Sequence, residues 1–260
     1  MESCAQLNTE YLGFLPERYP PVRNPLVRKA LSMAVSRQDL LRFWQNGQGT
    51  AGSYSILPPA LRFWAAPEPG YHPDSAKILL QKAGFSVQNP LPVLPLHTNP
   101  SYQPLAEYLQ KQWEQIGVKV KIEVLEGASL RSAVSKGQIT CWRASWMADY
   151  ADAENYLSLF ISNHIPPNGP NTTRLQSARA DSLYQELISE PDPLKQQALR
   201  ESLDKEIQEN ATILVLYYDA VIRLTNHQIE NFAPDAMNRI QLKKVKKRSV
   251  SYQPASANNF

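Results

Sequence analysis

The stretch VLPLHTNPSYQPLAEYLQKQWEQIGVKVKIEV, residues 93–124, decides the fold class. Val93 to His97 is a short apolar run that reads as a strand, and Pro95 inside it argues for an edge or irregular position. From about Pro104 to Ile116, Leu105, Tyr108, Leu109 and Trp113 recur at helical spacing, and Gly117 stops the pattern. Val118, Val120, Ile122 and Val124 then alternate with Lys119, Lys121 and Glu123, the period of a strand with one wet face. Strand, helix and strand at this length imply a parallel pair joined by a right-handed crossover.

Working outward, the same alternation of elements continues. A short helix over about 128–136 and a strand over 139–145 follow, then helices near 152–161, 178–189 and 193–209. Thr212 to Tyr218 is a strand rich in β-branched and aromatic residues. On the other side, residues 10–15 read as a short buried strand. Asn24 with Pro25 behind it starts a helix whose Val27, Ala30, Leu31 and Ala34 share a face. Ser36 and Asp39 have capping-box spacing and begin a second helix. Asp74 is expected to cap a third, with Ala76, Leu79, Leu80 and Ala83 inside and Gly84 ending it. Residues 47–70 read as an irregular surface segment, and the chain from Ser249 onward as disordered. The prediction is an α/β domain with a mixed, largely parallel sheet flanked by helices.

Composition bounds the function classes. The chain has 260 residues, 43% of them apolar, enough for a sizeable core. Of the net charge of +3, Lys243, Lys244, Lys246, Lys247 and Arg248 alone carry +5, so the rest is mildly acidic. That pattern reads as a solvated basic tail, and no nucleic-acid partner is expected. Cys4 and Cys141 fit no zinc or redox spacing. There is no run of about 18 apolar residues, and the first residues lack a signal peptide's basic and apolar regions.

Catalytic motifs fail one by one. Gly47-Gln-Gly49-Thr-Ala-Gly52 matches GxGxxG but follows a helix instead of a strand, so it reads as a turn. No P-loop or nucleophile elbow is present, and His72, His97, His164 and His227 are scattered. No cofactor, metal site or catalytic residue is assigned. Asp149, Asp152 and Glu154 form an acidic cluster suited to carboxylate chemistry. Helix capping explains Asp152 better, because it sits just before an apolar helix. Two further readings are a carboxylate hydrolase and a salt-sensitive module using the basic tail on nucleic acid or anionic lipid.

Trp142 to Leu157 carries the most information. It places Trp142, Trp146, Tyr150, Tyr156, Arg143, Asp149 and Asp152 at and beyond the end of a strand, where open α/β sheets bind ligands. An aromatic platform beside a fixed carboxylate suits a zwitterionic or cationic ligand. The plain alternative makes the tryptophans core and Asp149 a loop cap.

Tyr11-Leu-Gly-Phe14, Asn24-Pro-Leu-Val-Arg28-Lys-Ala-Leu with Val35-Ser-Arg37, Tyr71 to Phe85, Leu109 to Val118, Trp146-Met-Ala-Asp149-Tyr-Ala-Asp152, Asn168-Gly-Pro-Asn171 and Ile213 to Tyr218 stand in the order of a known family's motifs. Over residues 10–220 the chain resembles the C-terminal, periplasmic-binding-protein-like lobe of the ABC-importer binding proteins for oligopeptides, dipeptides and nickel (extracellular solute-binding family 5). Residues 149–160 and 168–171 most resemble members from Bacteroidetes-type bacteria. The resemblance implies capture of peptides or similar solutes outside the cytoplasmic membrane and delivery to ABC permease subunits. It implies that Asp149 pairs with a ligand α-amino group and that Trp146 lines the pocket. It further points to Arg143 for a ligand carboxylate, and to Asn171 either lining the cleft or fixing its loop. Residues 1–223 correspond to that lobe, with an incoming strand at 10–15 and an outgoing one at 212–222. Residues 224–260 correspond to the segment that returns to an N-terminal lobe missing from this sequence.

Overall fold

The computed structural model describes residues 2–210, 212–232 and 235–248. The elements are β1 (Glu2–Phe14), α1 (Pro25–Met33), α2 (Arg37–Trp44), β2 (Thr50–Ala51), α3 (Pro73–Lys82), β3 (Leu94–Thr98), α4 (Gln103–Glu114), β4 (Val120–Val124), α5 (Gly127–Ser135), β5 (Cys141–Met147), α6 (Glu154–Leu157), α7 (Ala178–Ser189), α8 (Pro193–Asn210), β6 (Ile213–Arg223), β7 (Ile229–Glu230) and β8 (Lys246–Lys247). The stretch that decides the fold class thus forms β3, α4 and β4, and the two strands pair in parallel.

Six strands make one mixed sheet in the order β2-β6-β1-β5-β3-β4. β5, β3 and β4 run parallel, whereas β1 pairs antiparallel with both β5 and β6, and β2 antiparallel with β6. The parallel share is therefore smaller than the sequence suggests. Apolar alternation reports a wet face and says nothing about the direction of a neighbour. β1 is also far longer than residues 10–15. Glu2–Ala5 pairs with Ala220–Arg223, and the small polar run Glu-Ser-Cys-Ala-Gln carries no periodicity to reveal it.

Pro95 does not mark an edge, because β3 lies between β5 and β4. The Leu94 amide donates to Lys119 O, on the β4 side, so the next residue's backbone nitrogen faces β5. Pairing with β5 begins only at Leu96–Cys141, beyond the missing N–H.

Two layers cover the sheet. On one face Leu12, Phe14, Leu96 and Leu214 meet Val27, Ala30, Leu31, Leu109 and Trp113. On the other, Tyr11, Val215 and Tyr218 meet Tyr156, Phe160, Tyr184, Leu203 and Ile207. A bulge switches β6 between faces: Glu10 opposes Tyr217 and Tyr11 opposes Val215, so Leu216 is the extra residue. Leu216 and Tyr217 consequently enter the same cluster.

Asn24 caps α1 through a 2.9 Å bond from Leu26 N, and Ser36 caps α2 by accepting from Asp39 N. Asp74 does not cap α3. His72 holds that position, Pro73 is the first helical residue, and Asp74 lies inside the first turn. The helix predicted over 152–161 is only α6 followed by 3-10 turns at Ser158–Phe160 and Ser162–His164. An amphipathic helix buries one stripe; here Tyr156, Leu157, Leu159, Phe160 and Ile161 are all inside.

The Gly47–Gly52 turn brings its backbone against β6. A Cβ at Gly49, where φ is +90°, would stand 2.6 Å from Tyr218 O, and one at Gly52 2.6 Å from Val215 O. These glycines serve close strand approach, not phosphate binding. The loop beyond is pinned by Asp204, 0% exposed, which accepts from Ser55 Oγ (2.8 Å), Trp64 Nε1 (3.0 Å) and Gln208 Nε2 (2.8 Å). Burial raises the Asp204 pKa above 3.8, against the lowering by those donors and by Arg62. A raised carboxyl stabilises the fold fully below its unfolded value, and that contribution is lost as pH rises through the folded value. Asp204→Asn keeps an acceptor and buries no charge. It should cost less than Asp204→Ala, which strands buried donors at about 1–3 kcal/mol. It should also gain on the parent between pH 4 and pH 8, measured by urea unfolding at both.

The basic run is not wholly a solvated tail. Lys246–Lys247 pairs with Ile229–Glu230, and Arg248 pairs with Glu230. Ala236 and Met237 pack on the second cluster, and Leu7 N donates to Ala236 O (2.8 Å). The predicted disorder from Ser249 lies outside the described residues.

Candidate functional site

The site is built on β5. Leu15 N donates to Thr140 O and Ala148 N to Leu7 O, so even-numbered residues of this segment turn their backbone groups toward β1. Those of Arg143, Ser145 and Met147 then face the other edge. β3 occupies that edge only at Leu96–Cys141 and His97–Trp142. From Arg143 to Met147 it has no strand partner among the described residues, a length of about 13 Å. A cleft of about 400 Å³ lies alongside, lined by Asn99, Leu130, Arg131, Trp142, Ser145 and Trp146 among others.

Trp146 and Asp149 are held together by a residue that sequence reading did not single out. Asn155 is 5% exposed, and its Oδ1 accepts from both Trp146 Nε1 (2.9 Å) and Asp149 N (3.3 Å). Asn155 reads as one more polar residue of a helix, and nothing local marks it. Asp149 itself is exposed, and its carboxylate has no hydrogen-bond or ion-pair partner among the described residues. It is neither buried nor a cap.

Arg143 is engaged through its Nη2, while its buried Nε has no hydrogen-bond partner among the described residues. Arg143 forms an ion pair with Glu10 in which the two side chains are 12% and 4% exposed. Its guanidinium carbon lies 3.4 Å from the centre of the Tyr102 ring. Burial raises the Glu10 pKa, Arg143 opposes this, and Asp219 adds to the rise. A spacing of three also puts Arg143 and Trp146 on opposite faces of a strand. Arg143 shares its face with Cys141 of the first cluster, while Trp146 packs on the second.

Asn171 does not join the cleft. It is 0% exposed; its Nδ2 donates to Ile161 O (3.0 Å) and Leu175 O (2.9 Å), and its Oδ1 accepts from Thr173 Oγ1 (3.1 Å) and Leu175 N (3.2 Å). Every hydrogen-bonding position is used to fix its own loop.

The acidic cluster does not converge. Asp152 accepts from Glu154 N (2.8 Å) and pairs with Arg200 (2.9 Å), and Glu154 accepts from the Tyr150 and Tyr184 hydroxyls. Two carboxylates tied to separate structural partners do not favour hydrolase chemistry. Among the described residues no group of His, Cys, Asp and Glu could hold a metal, and no helix is long and apolar enough to cross a membrane. A cavity of about 470 Å³ lies between α1 and β6, but its Arg28 is spent on the Val22, Arg23 and Glu209 carbonyls.

Comparison with known proteins adds the following. Residues 2–166 match the family model described as bacterial extracellular solute-binding proteins, family 5 middle. Heme-binding protein A of Haemophilus influenzae is 30% identical over 190 residues, covering 70% of this chain and 34% of that protein. The periplasmic oligopeptide-binding protein OppA of Escherichia coli is 27% identical over 214 residues, 79% of this chain and 38% of OppA. The structure of HbpA2 from Haemophilus parasuis superposes with a TM-score of 0.83 at 21% identity, over 95% of this chain and 50% of that one. The chain thus spans well under half the length of those two curated relatives.

Proposed function

We propose that this chain, which belongs to the bacterial extracellular solute-binding proteins of family 5, captures a short peptide or similar zwitterionic solute and serves an ABC importer as one lobe of a two-lobed receptor outside the cytoplasmic membrane. The reading rests on one observation above all, the unpaired β5 edge beside Trp146 and the unpartnered Asp149. An extended peptide satisfies such an edge by adding a strand, and its main-chain groups meet those of Arg143, Ser145 and Met147. Asp149 then meets the peptide's ammonium, while the Trp146 ring supplies apolar area. Binding of this kind needs no catalytic group.

In this chain by itself Asp149 faces water, where such a pair contributes about 0–1 kcal/mol. Trialanine should therefore bind weakly, and sub-micromolar affinity in calorimetry would contradict the proposal. Asp149→Asn should weaken trialanine by up to about fivefold and leave N-acetyl-trialanine unaffected. Equal losses for both peptides would show that the carboxylate does not meet the amine.

A further inference from the structure

We infer that a ligand carboxylate in this cleft is taken by Arg131 of α5 and not by Arg143. The inference rests on the peptide reading of the site. Of the residues lining the cleft, only these two carry charge. Arg143 is neutralised by Glu10, which is 4% exposed, and its guanidinium lies against Tyr102. Turning Arg143 toward a ligand would strand the buried Glu10 charge, a larger loss than a partly solvated new pair returns.

Arg131 has neither obstacle. It is exposed at the cleft wall, with no hydrogen-bond or ion-pair partner among the described residues. Its Nη1 lies 3.5 Å from where a Cβ on Gly127 would stand, so the absent side chain leaves that flank of the guanidinium open. A planar fork of donors suits a carboxylate. Asp149 is not among the residues lining the cleft but follows Trp146 by three positions, so a ligand extending past that wall would meet one free negative and one free positive group. Since Arg131 is on a helix surface and Arg143 is within the sheet, the two assignments make different predictions.

The test compares trialanine with trialanine amide, titrated into the 260-residue chain, into Arg131→Gln and into the Glu10→Gln/Arg143→Gln pair. The unaltered chain should prefer the acid by up to about fivefold, the range for a solvated ion pair. Arg131→Gln should bring acid and amide to equal affinity, and the double variant should keep the preference. Should the double variant not fold, the arginine Nε–H resonances of the unaltered chain carry the test. The one that moves with the acid but not the amide should be missing from Arg131→Gln. Equal binding of acid and amide by the unaltered chain overturns the assignment and leaves the peptide reading standing. So does a preference that survives in Arg131→Gln or disappears in the double variant. Failure of both peptides to bind overturns the peptide reading and this inference with it.

Discussion

Arg143→Met should lower the unfolding free energy by roughly 3–5 kcal/mol at pH 7, the cost of leaving a buried charge unpaired. Glu10 is 4% exposed, so water cannot take the place of the guanidinium. The remaining contact, from Asn8 Nδ2 at 3.4 Å, is too long to compensate. The loss should depend on pH with a definite sign. Burial already raises the Glu10 pKa above 4.5 with Arg143 in place, and removing Arg143 raises it further. A raised carboxyl contributes its full stability below the unfolded value and loses it as pH rises through the folded value. The variant should therefore approach the parent near pH 4 and fall away from it toward pH 7. Glu10→Gln/Arg143→Met should recover most of the loss, since neither charge is then buried. Chemical denaturation of all three proteins at both pH values checks this. A pH-independent penalty would mean that Arg143 acts by packing on Tyr102 and not by charge.

Trp113→Ala should cost about 3–5 kcal/mol, the range for removing a large aromatic from a closed core. Trp113 is 0% exposed on α4, within the cluster that joins α4 to α1 and the sheet. Its Nε1 donates to Leu31 O at 2.9 Å. Leu31 lies in the last turn of α1, where carbonyls lack helical partners, so the indole satisfies an otherwise orphaned acceptor. Trp113→Phe keeps most of the apolar area and loses the bond. It should cost about 1–2 kcal/mol for the unsatisfied carbonyl plus any misfit. Thermal and urea unfolding separate the two. Trialanine affinity of the folded fraction should not change, because Trp113 is absent from the cleft wall. A similar cost for both substitutions would place the stabilisation in the hydrogen bond and not in the ring.

Sequence reading and structure agree where a local rule applies. The helical spacing of Leu105, Leu109 and Trp113 and the caps at Asn24 and Ser36 form as predicted, whereas the period-of-two run at 118–124 forms a strand only from Val120 and loses its alternation at the exposed Val124. Each depends on residues a few positions apart, so the sequence by itself determines them. Trp146 and Asp149 are singled out on the same local ground, being three residues apart at a strand end, and their binding role stands as a proposal.

What lies beyond is decided by partners distant in the chain. Arg143 is separated from Glu10 by 133 positions, and only the antiparallel register of β1 on β5 brings them together. Asn171 becomes buried because its loop closes on Ile161 and Leu175. The β5 edge is open because β3 stops pairing at Trp142, a matter of where two strands diverge. Local sequence sets period, caps and turns; register and burial set which charges meet, and so which arginine side chains stay unpaired among the described residues.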